Sequence, residues 1–161
     1  GVESRCEIMD IRLEDGAVVT PEEVKEKLNQ VLPPELKVFR VAEVAGKVSQ
    51  IAFAAYDLDF PGDAQKIRHR FDEFWARPQI MVFKKTKSGG KEVDLKELVE
   101  LKDIQVLPDR LRLKVVLPAG NEESLNPSVL TSAFIEYAND DQIGVLITRT
   151  AILNQNRQDF F

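Results

Sequence analysis

Apolar and polar positions alternate with a period of two in several short runs, and between these runs the period lengthens to that of a helix. In CEIMDIRL, residues 6–13, Met9, Ile11 and Leu13 share one face while Asp10 and Arg12 share the other, which predicts a strand closed by Asp15-Gly16. TPEEVKEKLNQVLPP predicts a helix. Thr20 is placed as its N-cap, Pro21 at the first helical position and Glu23 as the return arm of a capping box. Val24, Leu28, Val31 and Leu32 make one apolar stripe, and Pro33-Pro34 end the helix. LKVFRVAEV predicts a second strand. QIAFAAYDLDF predicts a third, with Ala54, Tyr56, Leu58 and Phe60 alternating with Asp57 and Asp59.

After Pro61-Gly62, Asp63 is an N-cap for a second helix whose Ile67, Phe71, Phe74 and Trp75 recur at helical spacing, and Pro78 stops it. QIMVFKK predicts a fourth strand. The order strand, helix, strand, strand, helix, strand is that of the ferredoxin-like split βαβ sandwich, here expected over residues 6–85. Beyond it the pattern turns to strands. KEVDL is one, and IQVLPDRLRLKVVL forms two about a turn at Pro108-Asp109. A helix follows from the Asn126 cap and Pro127, through Leu130, Phe134 and Tyr137, and IGVLITRTAIL is the last strand. The expected class is α+β: a ferredoxin-like half, residues 1–85, packed as one unit with a smaller mixed β-rich half carrying one helix, residues 86–161.

Composition narrows the chemistry. A chain of 161 residues, 43% of them apolar, can fill a core without staples. Its formal net charge of −5 confines any nucleic-acid contact to a local patch. The single cysteine, Cys6, excludes an internal disulfide and an iron–sulfur centre, and with the single His69 it leaves too few soft ligands for a zinc site. Cys6 lies in an amphipathic stretch with nothing nearby to activate it, and His69 lies off the apolar face of its helix, so both are expected to be inert. No apolar run approaches the roughly 20 residues that span a bilayer, which predicts a soluble cytoplasmic protein without a membrane partner.

Three stretches invite a functional reading. DLDFPGD begins like a calcium loop, but the fifth position from Asp57 is Pro61 and the twelfth is Arg68, so no metal site is expected. SGGK looks like part of a phosphate loop, yet Glu92 follows the lysine and both flanks are strand-like. Gly89-Gly90 is therefore expected at a hairpin turn. Lys84, Lys85, Lys87 and Lys91 cluster there without an intervening acid, a pattern that serves either solubility or contact with RNA phosphates. Arg149, finally, shares strand parity with Ile143, Val145 and Ile147. Its charge on a core-facing row calls for a carboxylate or a ligand anion.

GVESRCEIMDIRLE with TPEEVKEKLNQVLPPELKVFRVAEV resembles the domain of unknown function that accompanies radical SAM proteins. KKTKSGGKEVDLKELV is similar to the basic hairpin of that family and its VDL segment, while SLNPSVLTSAF and ITRTAIL are similar to its last helix and its Arg-Thr strand. On this resemblance Glu3, Asp94, Arg149 and the hairpin lysines match family motifs. Glu3, Asp94 and Arg149 are candidate ligand or ion-pair positions. Family members begin with an Arg-, His- and Pro-rich segment before GVES, so the chain is expected to lack an N-terminal segment.

The resemblance implies a non-catalytic accessory domain of a radical SAM system that helps recognise an RNA substrate. The radical SAM partner, in cis or in trans, would carry the iron–sulfur cluster and S-adenosylmethionine, and this chain would carry no cofactor of its own. Two alternatives stand beside it. One is a protein docking module without nucleic-acid binding. The other is part of an enzyme whose catalytic residues lie in the absent segment, with Glu3 and Asp10 as the nearby carboxylates.

Overall fold

A computed structural model describes residues 1–43 and 46–160. Two compact units are present: Gly1–Glu7 together with Val48–Phe161, and Ile8–Lys47. The larger unit contains β1 (Val2–Ser4), β2 (Phe53–Pro61), α2 (Ala64–Trp75), β3 (Met81–Thr86), β4 (Gly89–Asp94), α3 (Leu95–Leu98), β5 (Glu100–Val106), β6 (Arg110–Pro118), α4 (Pro127–Ala138) and β7 (Leu146–Leu153). The smaller unit holds α1 (Pro21–Val31).

The class is α+β. Five strands form one mixed sheet in the order β1-β7-β2-β6-β5, and β3 and β4 form a separate two-stranded sheet. In β2-α2-β5-β6-α4-β7 the chain traces strand, helix, strand, strand, helix, strand, and every pairing among these four strands is antiparallel. That is the ferredoxin-like order, and it runs from residue 53 to residue 153, across the boundary expected at residue 85. The β3–β4 hairpin and α3 are inserted between the first helix and the second strand of the motif. β1 adds to the sheet edge, parallel to β7.

The core lies between the sheet and its two long helices. Leu58 and Phe60 of β2 and Leu111, Leu113, Val115 and Leu117 of β6 meet Phe71 and Phe74 of α2 and Leu130 and Phe134 of α4. Phe134 stands edge-on to Phe60 and Phe71, each at a centroid distance of 5.3 Å, the arrangement preferred by ring quadrupoles. The helix signals hold locally. Asp63 caps α2 through the Lys66 amide, Asn126 caps α4 through the Ser128 amide, and Thr20 and Glu23 close the capping box of α1.

Two segments depart from the expected strands. Residues 6–13 pair with no strand, and Met9, Ile11 and Leu13 are exposed. The described part of 37–45 is also outside any strand, and residues 44 and 45 lie outside the described residues. Alternation makes a face, but a strand also needs a neighbour to take its amides. Val38 instead bonds to a side chain: the Asn29 amide donates to its carbonyl at 3.0 Å and the Asn29 carbonyl accepts from its N–H at 2.8 Å.

The hairpin turn is corrected by one step. Lys87 and Ser88 form the two-residue turn, and Gly89 and Gly90 begin the returning strand. Gly89 has φ +129°, a conformation that L side chains rarely adopt, so one glycine does serve the turn. Gly90 serves packing: a Cβ there would collide with the ring of Phe83.

Candidate functional site: the basic hairpin and the Arg149 cluster

Cross-strand register divides the hairpin into two faces. Val82, Lys84 and Thr86 stand opposite Val93, Lys91 and Gly89, while Met81, Phe83 and Lys85 stand opposite Asp94, Glu92 and Gly90. The four lysines are therefore not one patch. Lys84 and Lys91 oppose each other directly, a placement of like charges that disfavours pairing unless an anion intervenes. Lys91 has one, since its Nζ lies 3.7 Å from Oε1 of Glu123. Lys85 lies on the Phe83 face and Lys87 in the turn. Among the described residues Lys84, Lys85 and Lys87 have no carboxylate partner. Phe83 lies beside them with 63% of its surface exposed.

Asp94 has a structural position. Its Oδ1 accepts from the amides of Ile80 and Lys96, each at 2.9 Å, capping α3 and tying the foot of β4 to the segment before β3. The Lys96 ammonium in turn donates to the Trp75 carbonyl at 2.7 Å and lies 4.3 Å from the Trp75 ring centre. The hairpin therefore stands on a secured base with a free basic end. Glu3 is exposed on β1 opposite Thr148.

Arg149 faces the helix side of the sheet, as its parity required, and its partner is a carboxylate. Nη2 lies 2.6 Å from Oε1 of Glu7, and Nε donates to Oγ of Ser4 at 3.3 Å. Tyr56 is its cross-strand neighbour, and the Cys6 thiol lies 3.9 Å from the Arg149 carbonyl oxygen. Burial works to lower the Arg149 pKa, but the charge and hydrogen bond of Glu7 outweigh it and the guanidinium is held more firmly protonated. Burial pushes the Cys6 thiol up, against the opposing charge of Arg149, so the thiol is not an activated nucleophile. Burial likewise raises the Tyr56 phenol. Sequence reasoning singled out Arg149 but not Ser4, Glu7 or Tyr56. Parity exposes a misplaced charge, but the residues that answer it come from 93 or more positions away.

The other face of the sheet carries charge that is already paired. Asp57 bonds Lys114 at 3.0 Å, and Asp59 accepts from Arg112 at 2.7 and 2.8 Å and from Arg110 at 3.3 Å. Asp109 takes Arg110 as well, at 3.0 Å, and three cations answered by three carboxylates leave little charge for a phosphate backbone, so the basic end of the hairpin is the better-placed anion contact in this unit. Among the described residues no group of three His, Cys, Asp or Glu side chains is placed to hold a metal ion. No described helix is long and apolar enough to cross a membrane.

A family model described as an uncharacterized protein conserved in bacteria matches residues 1–127. The hairpin lies within that span and Arg149 beyond it. No curated protein and no solved structure matches the chain.

Proposed function

The chain belongs to the bacterial family DUF2344, and within it we propose a non-catalytic accessory module of a radical SAM system that holds an RNA substrate at the free end of the β3–β4 hairpin. The association with radical SAM chemistry rests on the resemblance of the GVES segment, the hairpin and the Arg-Thr strand to the domain that accompanies those enzymes. The observation that carries the RNA reading is local. Lys84, Lys85 and Lys87 lack carboxylate partners among the described residues, and Lys85 shares a face with the exposed Phe83, which combines cationic contacts for phosphates with an aromatic face on which a base can stack.

The test is titration of a short fluorescein-labelled single-stranded RNA with the full chain at several salt concentrations. Binding should weaken with salt, and replacing Lys84, Lys85 and Lys87 by alanine should flatten the log–log slope by about 0.7 per lost phosphate contact. Phe83→Ala should weaken binding by about 1–3 kcal/mol without changing that slope. Binding that ignores both replacements would sink the RNA reading. Retention of the radical SAM polypeptide by a variant with all four lysines replaced, with no RNA bound to either protein, would favour the docking module.

A further inference from the structure

The foot of the hairpin has a different chemistry from its tip. A recess of about 360 Å³ is bounded by Met81 on β3, Val93 and Glu92 on β4, and Glu97 and Leu98 of α3. Its apolar side includes Met81, which is 51% exposed although it stands in a strand. Its polar rim carries Glu92, Asp94, Glu97 and Glu123 together with one cation, Lys91. Asp94 is occupied by two backbone amides and Glu123 by Lys91, whereas Glu92 and Glu97 have no partner among the described residues.

From this pairing of an apolar wall with unanswered carboxylates we propose that the recess docks an arginine- or lysine-bearing segment of a protein partner. Such a side chain has the matching shape: an aliphatic stem to lie on Met81 and Leu98, and a cationic head to reach Glu92 and Glu97. A compact metal ion would use only the carboxylates and leave the apolar wall uncovered. RNA is repelled by the same carboxylates that attract a basic segment, so the foot and the tip of one hairpin select opposite charges. The inference goes beyond the RNA reading and does not depend on it.

The experiment uses the full chain and a fluorescein-labelled peptide of alternating arginine and leucine, with the glutamate-for-arginine peptide as its counterpart. The arginine peptide should bind saturably and the glutamate peptide should not. Combined Glu92→Lys and Glu97→Lys should weaken binding about tenfold or more, while Glu22→Lys with Glu26→Lys on α1, the same change in net charge, should leave it intact. Because reversed charges can disturb the hairpin, Glu92→Gln with Glu97→Gln provides a milder pair and should weaken binding to a smaller degree while the β3–β4 amides keep their exchange protection. Replacing Lys84, Lys85 and Lys87 by alanine should weaken RNA binding and flatten its salt slope without weakening the peptide, which separates the two sites. Absence of saturable binding, or equal loss from the α1 pair, overturns the proposal.

Discussion

Asp59 and Arg112 stand opposite each other in register across β2 and β6, joined by two hydrogen bonds of 2.7 and 2.8 Å. Arg110 adds a third contact to the same carboxylate at 3.3 Å. Asp59 is 8% exposed, a depth at which a carboxylate persists only when its oxygens are answered. On the face of the sheet opposite α2 and α4, such pairs join β2 and β6. Their cations are taken up by these carboxylates, which leaves the hairpin as the better-placed anion-binding surface of this unit.

Asp59→Asn keeps the shape and removes the charge that two arginines answer. It should cost about 1–3 kcal/mol at neutral pH, because charge-assisted bonds are lost and Arg112 remains partly buried. The Arg112 hydrogen bonds hold the Asp59 carboxyl below its ordinary 3.8. A group with a depressed folded pKa contributes stability above its unfolded value and loses it as pH falls through the folded value. Urea unfolding followed from pH 7 down to about pH 3 should therefore show a shallower decline for the variant than for the parent, with the two curves converging at the acid end.

Arg149 and Glu7 offer a contrast in how an ion pair is broken. Glu7 is mostly exposed, so Arg149→Met leaves behind only a solvated carboxylate and gives the helix-facing row an apolar residue. The change should be close to neutral. Glu7→Gln leaves the more buried guanidinium without its counter-charge and should cost about 1 kcal/mol. Urea midpoints at pH 7 measure both. A larger loss from Arg149→Met than from Glu7→Gln would mean that the arginine does more here than balance Glu7.

How legible the molecule was in its sequence depends on whether a feature is local. The caps at Thr20, Asp63 and Asn126 and the stripe Ile67, Phe71, Phe74 are set within a few residues, and each is found where the pattern places it. The ferredoxin-like order was also legible, but not its register along the chain, because periodicity identifies a strand and says nothing of its partner. Residues 6–13 alternate as well as β2 does and remain outside the sheets, while β7, 85 residues further on, pairs with β2. The lysines of the hairpin were visible as a cluster. Their division between two faces and a turn, and the capture of Lys91 by Glu123, arise only once Lys87-Ser88 sets the register.

Asp94 was singled out by resemblance as a possible ligand position, and its geometry gives it a cap. Asp94→Ala should remove the acceptor for the Ile80 and Lys96 amides and cost about 1–2 kcal/mol, whereas Asp94→Asn or Asp94→Ser, which restore a side-chain acceptor, should recover most of it. The loss should be concentrated at the foot of the hairpin. Amide exchange at Ile80 and Lys96 is the measurement, and an unchanged exchange rate in Asp94→Ala would remove the cap from its account.

The two glycines of the hairpin should respond differently to the same substitution. Gly89→Ala places a side chain at φ +129° and should cost about 1–3 kcal/mol of hairpin stability, since that strain does not depend on any neighbour. Gly90→Ala meets the Phe83 ring instead, and the exposed ring can swing aside. Its cost should be about 0.5–1.5 kcal/mol, the price of an off-rotamer aromatic, and should largely vanish when Phe83 is already alanine. Exchange protection of the β3–β4 amides in the two single variants, in Phe83→Ala and in the Phe83→Ala/Gly90→Ala double variant reads the coupling directly. If Gly90→Ala costs the same with and without Phe83, the glycine is required by the nearby Lys84 carbonyl, 3.0 Å from the added Cβ, and not by the ring.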